Sequence, residues 1–284
     1  MGTRLQMLVL GLSLVASAAA APASGAGEPP RTTEAARRAE LYPQASKYLT
    51  DFAALEPAFL APQLEFPTGG VLPGWLEKLC PQLTGLPGEE GQFILARVSE
   101  IARAVGVRMA SEHCSPNLHI YVTPQPVEFL RGMQSRHAFP ANDPRERPYL
   151  IDQFIATPRP VMVWYNVGRA PGLRFSYPLN QVIVVVDQRQ LQGVAREQLA
   201  AYIAIVGLAE IKLLAETKPA GHLGATSTIL KLFDGAPQAA PSGLSDWDQA
   251  FLKALYSAPR TNPWHRELAS VDQITLRMVS EIAP

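Results

Sequence analysis

The sequence predicts a single domain of the α/β (α+β) class, with a mixed sheet, a long buried central helix and further helices at the C-terminal end. The run from Val182 to Val186 is β-branched throughout (VIVVV), which is typical of a strand covered on both faces. The segment from Gln198 to Ala209 carries no charge (QLAAYIAIVGLA), which indicates a helix that is buried on all sides. Predicted strands and helices are interleaved along the chain, so layers of both kinds are expected to pack together.

The composition favours a globular protein and excludes several classes of function. The 284 residues are 47% hydrophobic and 18% charged, unlike a disordered chain. Lys+Arg and Asp+Glu both number 25, so the chain has no net charge to attract a phosphate backbone, and no nucleic-acid partner is predicted. No dinucleotide-binding motif, P-loop or G-x-S-x-G motif occurs, and no cofactor is predicted.

Residues 1–21 have the order of a secretory signal peptide. Arg4 precedes a short apolar run from Leu5 to Val15, and small residues of the A-x-A type follow from Ala16 to Ala21. A membrane anchor needs about 20 apolar residues, roughly twice the strongly apolar part of this segment. The sequence therefore predicts export, with the periplasm as the first expectation and the cell exterior as the alternative, and no membrane span after cleavage.

The rest of the chain divides into a lead and one domain. Residues 22–45 are rich in Ala, Gly, Pro and charge, which predicts a flexible N-terminal lead, with a turn of helix at its end as the alternative. Residues 46–284 are expected to form a single globular domain whose first part, to residue 75, is an extended wrap interrupted by prolines.

Periodicity predicts the elements of this domain in order. Apolar residues three or four apart predict helices, and alternation predicts half-buried strands. Five prolines make residues 137–160 loop-rich, and a return strand is expected within 168–177. The predicted helices cover 92–105, 127–134, 195–217, 227–233, 246–256 and 271–282, and the predicted strands cover 118–123, 161–167 and 182–186.

The two cysteines, Cys80 and Cys114, are predicted to form a disulfide. An isolated pair in an exported chain usually does so, and the alternative is two buried free thiols. His113 and His119 flank Cys114, but zinc would need further ligands from elsewhere in the chain. No metal site and no catalytic residue is assigned from the sequence.

Five residues are candidates for a ligand groove. Asp187 follows the central strand, at an edge where α/β proteins often bind ligands, although a turn-forming role is the preferred explanation. His119 lies on a predicted strand, and His137 follows a helix, where it would also interact with the helix dipole. Of the neighbours Trp164 and Tyr165, one is expected in the core, while the other could line a groove.

Residues 92–259 resemble a group of exported bacterial proteins with a zincin-like, metalloprotease-related architecture. The similar segments are ILARVSEIARAVG, PNLHIYVT, VIVVVD, QLAAYIAIVGLAEI, ILKLFDG and LSDWDQAFLKALYSAP. In zincins the long helix carries H-E-x-x-H, which binds zinc and activates a water molecule. An alignment on Gly207 places Ala200, Ala201 and Ala204 at those three positions, so the resemblance implies a scaffold without its catalytic residues.

These observations together predict an exported, non-catalytic envelope protein that binds a protein, a peptide or a cell-wall ligand. The alternative is a cell-envelope hydrolase whose polar groups converge near Asp187, His119 or His137. Its test is distance, because acid–base chemistry needs groups within hydrogen-bond reach. The sequence leaves the oligomeric state open.

Overall fold

The structure is a computed structural model that describes residues 34–52, 72–139, 148–167, 178–211, 227–257 and 271–283. Within these ranges the chain forms seven α-helices, four strands and three short 3₁₀ segments. The helices are α1 (Glu34–Phe52), α2 (Gly88–Ala104), α3 (Pro126–Ser135), α4 (Pro148–Ala156), α5 (Arg196–Leu208), α6 (Asp246–Tyr256) and α7 (Val271–Ile282). The strands are β1 (Pro81–Thr84), β2 (Leu118–Thr123), β3 (Val161–Val167) and β4 (Leu179–Asp187).

The four strands form one mixed sheet in the order β1-β2-β4-β3. β1, β2 and β4 are parallel, and β3 runs antiparallel to β4. β4 pairs with a strand on each side, as predicted for the β-branched run. The predicted mixed α/β class is confirmed.

Helices cover both faces of the sheet. Alternate β4 residues enter two separate apolar clusters, because successive side chains of a strand point to opposite faces. Val182, Val184 and Val186 belong to the larger cluster, which we call the major core and which contains the residues of α5. The minor core lies on the other face, near α3 and α4, and consists of Leu130, Met133, Phe139, Ile155, Met162, Ile183 and Val185.

The disulfide between Cys80 and Cys114 is present, as predicted. The two Cα atoms are 6.1 Å apart, and 34 positions of sequence separate the residues. Asn117 reinforces this junction: its Oδ1 accepts from the backbone N–H of Cys80 at 2.7 Å, and its Nδ2 donates to the Lys78 carbonyl at 3.0 Å. The disulfide therefore links the residue before β1 to the segment that leads into β2.

Helix α1 occupies part of the predicted flexible lead. It begins at Glu34 and buries Ala45, Tyr48 and Leu49, which lie on one helical face. Alanine and charged residues fit a surface helix as well as a flexible segment, and the end of the predicted lead is helical over more than the single turn expected. Residues 1–33, with the predicted signal peptide, lie outside the described residues, as do 53–71 and the return strand expected within 168–177.

Helix α5 is shorter than predicted. It ends at Leu208, and Ala209 is extended, with φ −138° and ψ 149°. Three aromatic side chains bind the carbonyls of its last turn: the Tyr165 hydroxyl donates to Val206 at 2.9 Å, the Trp75 indole donates to Gly207 at 2.8 Å, and the Tyr256 hydroxyl donates to Leu208. These bonds satisfy carbonyls that a helix end leaves unpaired, so tertiary contacts fix where α5 ends.

Three further differences from the predicted elements have local causes. Helix α4 forms inside the proline-rich region, since its first residue is Pro148 and proline is tolerated in the first turn. β1 is only 4 residues long and gives little periodicity to detect. The predicted helix 227–233 is reduced to a 3₁₀ turn over Ile229–Lys231. Among the described helices, none has the length and apolar character that crossing a membrane requires.

Candidate functional site

Asp187 is engaged by its own turn. Its carboxylate accepts the backbone N–H of Arg189 at 3.0 Å and pairs with the Arg189 guanidinium at 2.9 and 2.7 Å. Hydrogen bonding from Arg189 lowers the pKa of Asp187, and burial opposes this effect. Asp187 therefore caps the 3₁₀ segment Gln188–Gln190 as an ionised, paired group.

Asp187 also lies far from His119. In the sheet register Asp187 is level with Thr123, whereas His119 is level with Ile183. Four residues along a strand correspond to roughly 13 Å. The two side chains are therefore outside hydrogen-bond reach of each other, and the structure does not bring them together as an acid–base pair.

His137 forms the end of α3. It has a positive φ of 51°, and its N–H donates to the Gln134 carbonyl at 3.0 Å, while the Ala138 N–H donates to the Met133 carbonyl at 2.9 Å. This is the Schellman arrangement of a helix C-terminus. The exposed imidazole thus stands at the C-terminal end of α3, and its expected interaction with the helix dipole stays a prediction.

Trp164 and Tyr165 lie on opposite faces of β3. Trp164 packs with the minor core, and Tyr165 packs against the major core. The Tyr165 hydroxyl accepts the N–H of Ile211 at 3.2 Å in addition to its bond to Val206. Tyr165 is therefore a structural residue, and Trp164 is the member of the pair that can face a ligand.

His119 and Trp164 share the minor-core face with two polar residues that sequence reasoning missed. Asn166 on β3 is level with Gln181 on β4. Nε2 of Gln181 lies 2.8 Å from Nε2 of His119 on β2. Trp164 precedes Asn166 by two positions on the same strand and so points to the same side. We call His119, Trp164, Asn166 and Gln181 the polar cluster.

Asn166 is the unusual member of the polar cluster. It is 0% exposed, and neither its Nδ2 nor its Oδ1 has a hydrogen-bond partner among the described residues. The buried Nε1 of Trp164 likewise has no partner there. An unpaired buried polar group costs roughly 1–3 kcal/mol, so native proteins pair such groups with protein, water or ligand. With Nδ1 of His119, the polar cluster therefore has four buried hydrogen-bonding atoms without a partner among the described residues.

The polar cluster carries no formal charge at neutral pH. Burial lowers the pKa of His119, and the carbonyl of Pro116 offsets part of this effect. The remaining members are two amides and an indole, which do not ionise. None of the four side chains is a hydroxyl or thiol nucleophile or a carboxylate. The arrangement can bind an uncharged polar group, and His119 is the member of the cluster that can accept a proton.

A second buried polar group, Glu210, lies directly after α5. Desolvation raises its pKa to about 8, and its Oε2 has no partner among the described residues. The last turn of α5 also presents the negative end of the helix dipole, which disfavours the carboxylate further. Glu210 is therefore mostly protonated at pH 7.

The residues of α5 do not fit a zinc ion. The predicted zincin resemblance aligns Ala200, Ala201 and Ala204 with two histidines and a glutamate, and all three alanines are buried. An alanine side chain has neither a lone pair for a metal nor a proton to transfer. Within the described ranges, no group of three or more His, Cys, Asp or Glu residues is placed to hold a metal ion.

The polar residues that sequence reasoning did not identify differ in whether the sequence contains a signal for them. Glu210 is the first charge after the uncharged run of α5, and this break in the pattern was a usable signal. Asn166 and Gln181 have no such sign, because their importance depends on which strands pair and in what register.

Comparisons with known proteins yield no relative. No protein-family model matches the chain, and neither the curated proteins nor the solved structures contain a significant match. The zincin-like relationship therefore stays a prediction, and the residues of the polar cluster are the basis for any statement about function.

Proposed function

We propose that the chain is an exported, non-catalytic envelope protein on a degenerate zincin-like scaffold, and that it binds its ligand through the polar cluster. The observation that carries the proposal is Asn166, a fully buried amide whose donor and acceptor atoms are unpaired among the described residues. Burial of an amide is favourable only when its polar atoms are hydrogen-bonded. In a binding site, the ligand supplies the partners that the protein itself does not.

The chemistry of the neighbouring residues supports binding rather than turnover. Asp187 is paired with Arg189 and lies roughly 13 Å along the sheet from His119. The helix that would hold zinc in a zincin carries Ala200, Ala201 and Ala204 instead of ligands.

Export is supported by two independent features. The first 21 residues have the pattern of a signal peptide. The disulfide between Cys80 and Cys114 is of a kind that persists in oxidising compartments and is rare in the cytosol.

The test is retention by envelope material. The chain is expressed with its own leader, purified after processing, and incubated with isolated cell-wall sacculi and with membrane extract. We expect the wild type to sediment with one of these fractions, and we expect Asn166→Leu, which removes both polar atoms at similar size, to stay in the supernatant. Asn180→Leu is the matched control, because Asn180 is exposed on the neighbouring strand.

Two results would overturn the proposal. One is a cytosolic, unprocessed protein with no affinity for either fraction. The other is about one zinc per chain by elemental mass spectrometry together with hydrolysis of a peptide or glycan, which would favour the hydrolase alternative.

A further inference from the structure

Arg159 is a partly buried cation without an anionic partner among the described residues. It lies two residues before β3, and the carbonyl of the next residue, Pro160, accepts the N–H of Asp187 at 2.8 Å, which places Arg159 just beyond the end of β4. Its Nε is buried and has no hydrogen-bond partner in the described ranges. Burial lowers the pKa of Arg159, and of the described groups Tyr202 alone opposes this effect. Because a guanidinium stays charged in proteins, its surroundings leave this charge uncompensated.

Tyr202 on α5 lies close to this guanidinium. Burial raises the pKa of Tyr202, the charge of Asp234 raises it further, and the charge of Arg159 lowers it, so the hydroxyl is within electrostatic reach of the guanidinium. The Phe233 ring packs edge-to-face against Tyr202, with ring centroids 5.1 Å apart, and restricts the orientation of the phenol. No hydrogen bond from a described residue affects the pKa of Tyr202, so its hydroxyl is a second unpaired donor beside Arg159.

Both donors lie at the open edge of the sheet. β3 is the outer strand of the order β1-β2-β4-β3, so no further strand of the described chain covers this side. Tyr165 on β3 bonds the carbonyl of Val206, which is one helical turn after Tyr202, so α5 borders the same edge strand. Arg159 is only half-buried, so the outer part of its side chain meets solvent and a ligand can reach it from the surface.

The charges at this edge favour a ligand with one negative charge. Arg159 is the one cation of the described chain whose charge affects Tyr202, and the exposed carboxylate of Asp234 affects it with the opposite sign. A carboxylate carries one charge, and its two oxygens match the planar fork of a guanidinium. A phosphate monoester carries nearly two charges at neutral pH, and the second would meet Asp234 rather than another cation.

We propose that Arg159 and Tyr202 form a surface subsite that binds a carboxylate group of an organic ligand. The guanidinium donates to the carboxylate through its solvent-facing N–H groups, and the Tyr202 hydroxyl donates to one of the carboxylate oxygens. Tyr202 belongs to the major core, whereas the polar cluster lies on the other face of the sheet. The inference therefore goes beyond the proposed function and does not depend on it.

Nuclear magnetic resonance titration of the isotope-labelled, processed protein tests the subsite. The probes are N-acetylglycine, which has a free carboxylate, its neutral amide N-acetylglycinamide, and inorganic phosphate. We expect N-acetylglycine to shift the Nε–H signal of Arg159 and to bind with a Kd on the order of 1–10 mM, since a small probe makes few contacts. N-acetylglycinamide should bind at least about 10-fold more weakly, because it lacks the charge that pairs with the guanidinium.

Two variants remove the donors one at a time, and the backbone N–H signal of Val161 reports binding in each. Arg159→Met removes the guanidinium and should weaken the binding of N-acetylglycine about 10- to 100-fold. Tyr202→Phe removes only the hydroxyl and should weaken it about 3- to 10-fold. Arg103→Met, at an exposed arginine of α2, is the matched control and should bind like the wild type. Circular dichroism verifies that each variant is folded.

Each contrary outcome has a distinct meaning. Equal affinity for N-acetylglycine and its amide, unchanged affinity in Arg159→Met, or no binding of any probe by the wild type overturns the subsite. Tighter binding of phosphate than of N-acetylglycine overturns the choice of a carboxylate. Asn166→Leu should bind N-acetylglycine like the wild type, so the outcome here and the retention test of the proposed function can fail separately.

Discussion

Asn166 and Glu210 are buried residues with polar atoms that have no partner among the described residues, and the two can meet this cost in different ways. The amide of Asn166 has no protonation state to change, so only a water molecule or a ligand can satisfy it. Glu210 can take up a proton instead, and desolvation raises its pKa to about 8. The first residue is therefore expected to respond to ligands, and the second to pH.

Glu210 should make the protein less stable as the pH rises. The ordinary pKa of a glutamate is 4.5, so between pH 4.5 and 8 the folded state holds a proton that the unfolded state has lost. The free energy of unfolding then falls by up to about 1.4 kcal/mol per pH unit in this window. We expect Glu210→Gln to be more stable than the wild type by roughly 2–4 kcal/mol at pH 8, and equal to it near pH 4.5.

Urea unfolding at pH 4.5, 6 and 8 measures this difference. Glu112→Gln, at an exposed position, is the control and should follow the wild type throughout. A Glu210→Gln curve parallel to that of the wild type at all three pH values would show that Glu210 finds a partner in the folded protein.

Sequence reasoning identified His119 and Trp164 but not their polar neighbours. Alternation placed His119 on one side of a strand, and the aromatic pair offered one candidate for each face. The proximity of Asn166 and Gln181 arises from the antiparallel pairing of β3 with β4, which no local pattern specifies. The polar cluster could therefore be predicted only in part.

At the scale of elements, sequence patterns predicted correctly the helices and strands whose first and last residues depend on nearby residues. The predicted bounds of β2, β3, α6 and α7 agree with the structure, and α6 begins with the capping box of Ser245 and Asp248. The predicted end of α5 was wrong because Trp75, Tyr165 and Tyr256, which lie in distant parts of the chain, bind the carbonyls of its last turn.

Asp248 joins three elements and should be far more important than its neighbour Asp246. Its carboxylate accepts the hydroxyls of Tyr48 on α1 at 2.7 Å and of Thr228 at 2.6 Å, and the backbone N–H groups of Ile229 and Ser245, each at 2.9 Å. Asp248→Ala leaves these buried donors unpaired. We expect a loss of about 3–5 kcal/mol in the free energy of unfolding, measured by urea denaturation.

Asp246→Ala is the matched control in the same helical turn. Asp246 is exposed in the first turn of α6, where its carboxylate interacts with the helix dipole. Because such an interaction is weak at an exposed position, its loss should cost at most about 1 kcal/mol. Equal losses for the two variants would mean that capping alone accounts for Asp248.

At the scale of the whole molecule, the disulfide should be a major contribution to stability. It closes a loop across 34 positions that contains β1 and α2 and ends before β2. We expect the double variant Cys80→Ser/Cys114→Ser to lose about 2–4 kcal/mol in the free energy of unfolding. The control is the wild type unfolded in the presence of a reductant, which should unfold at the same urea concentration as the double variant. If the midpoint of the double variant equals that of the oxidised wild type, the bonds of Asn117 and not the disulfide hold the loop in place.

The fold class could be predicted from the whole sequence, but the sheet order could not. Interleaved patterns of period two and period 3.6 were enough to predict a mixed α/β protein. Placing β4 between β2 and β3 requires long-range pairings, which depend on the packing of the entire chain. The zincin-like relationship, which rests on short apolar segments, stays a prediction.

The aromatic bonds at the end of α5 have a consequence for the timing of folding. The backbone N–H of Trp75 donates to the Tyr256 hydroxyl across 181 positions of sequence, and Tyr48 reaches Asp248 across 200. A chain that emerges N-terminus first cannot make either contact until nearly all of it has appeared. The bond from Tyr256 to the last turn of α5 therefore forms late in synthesis, and the native state closes in a late, cooperative step.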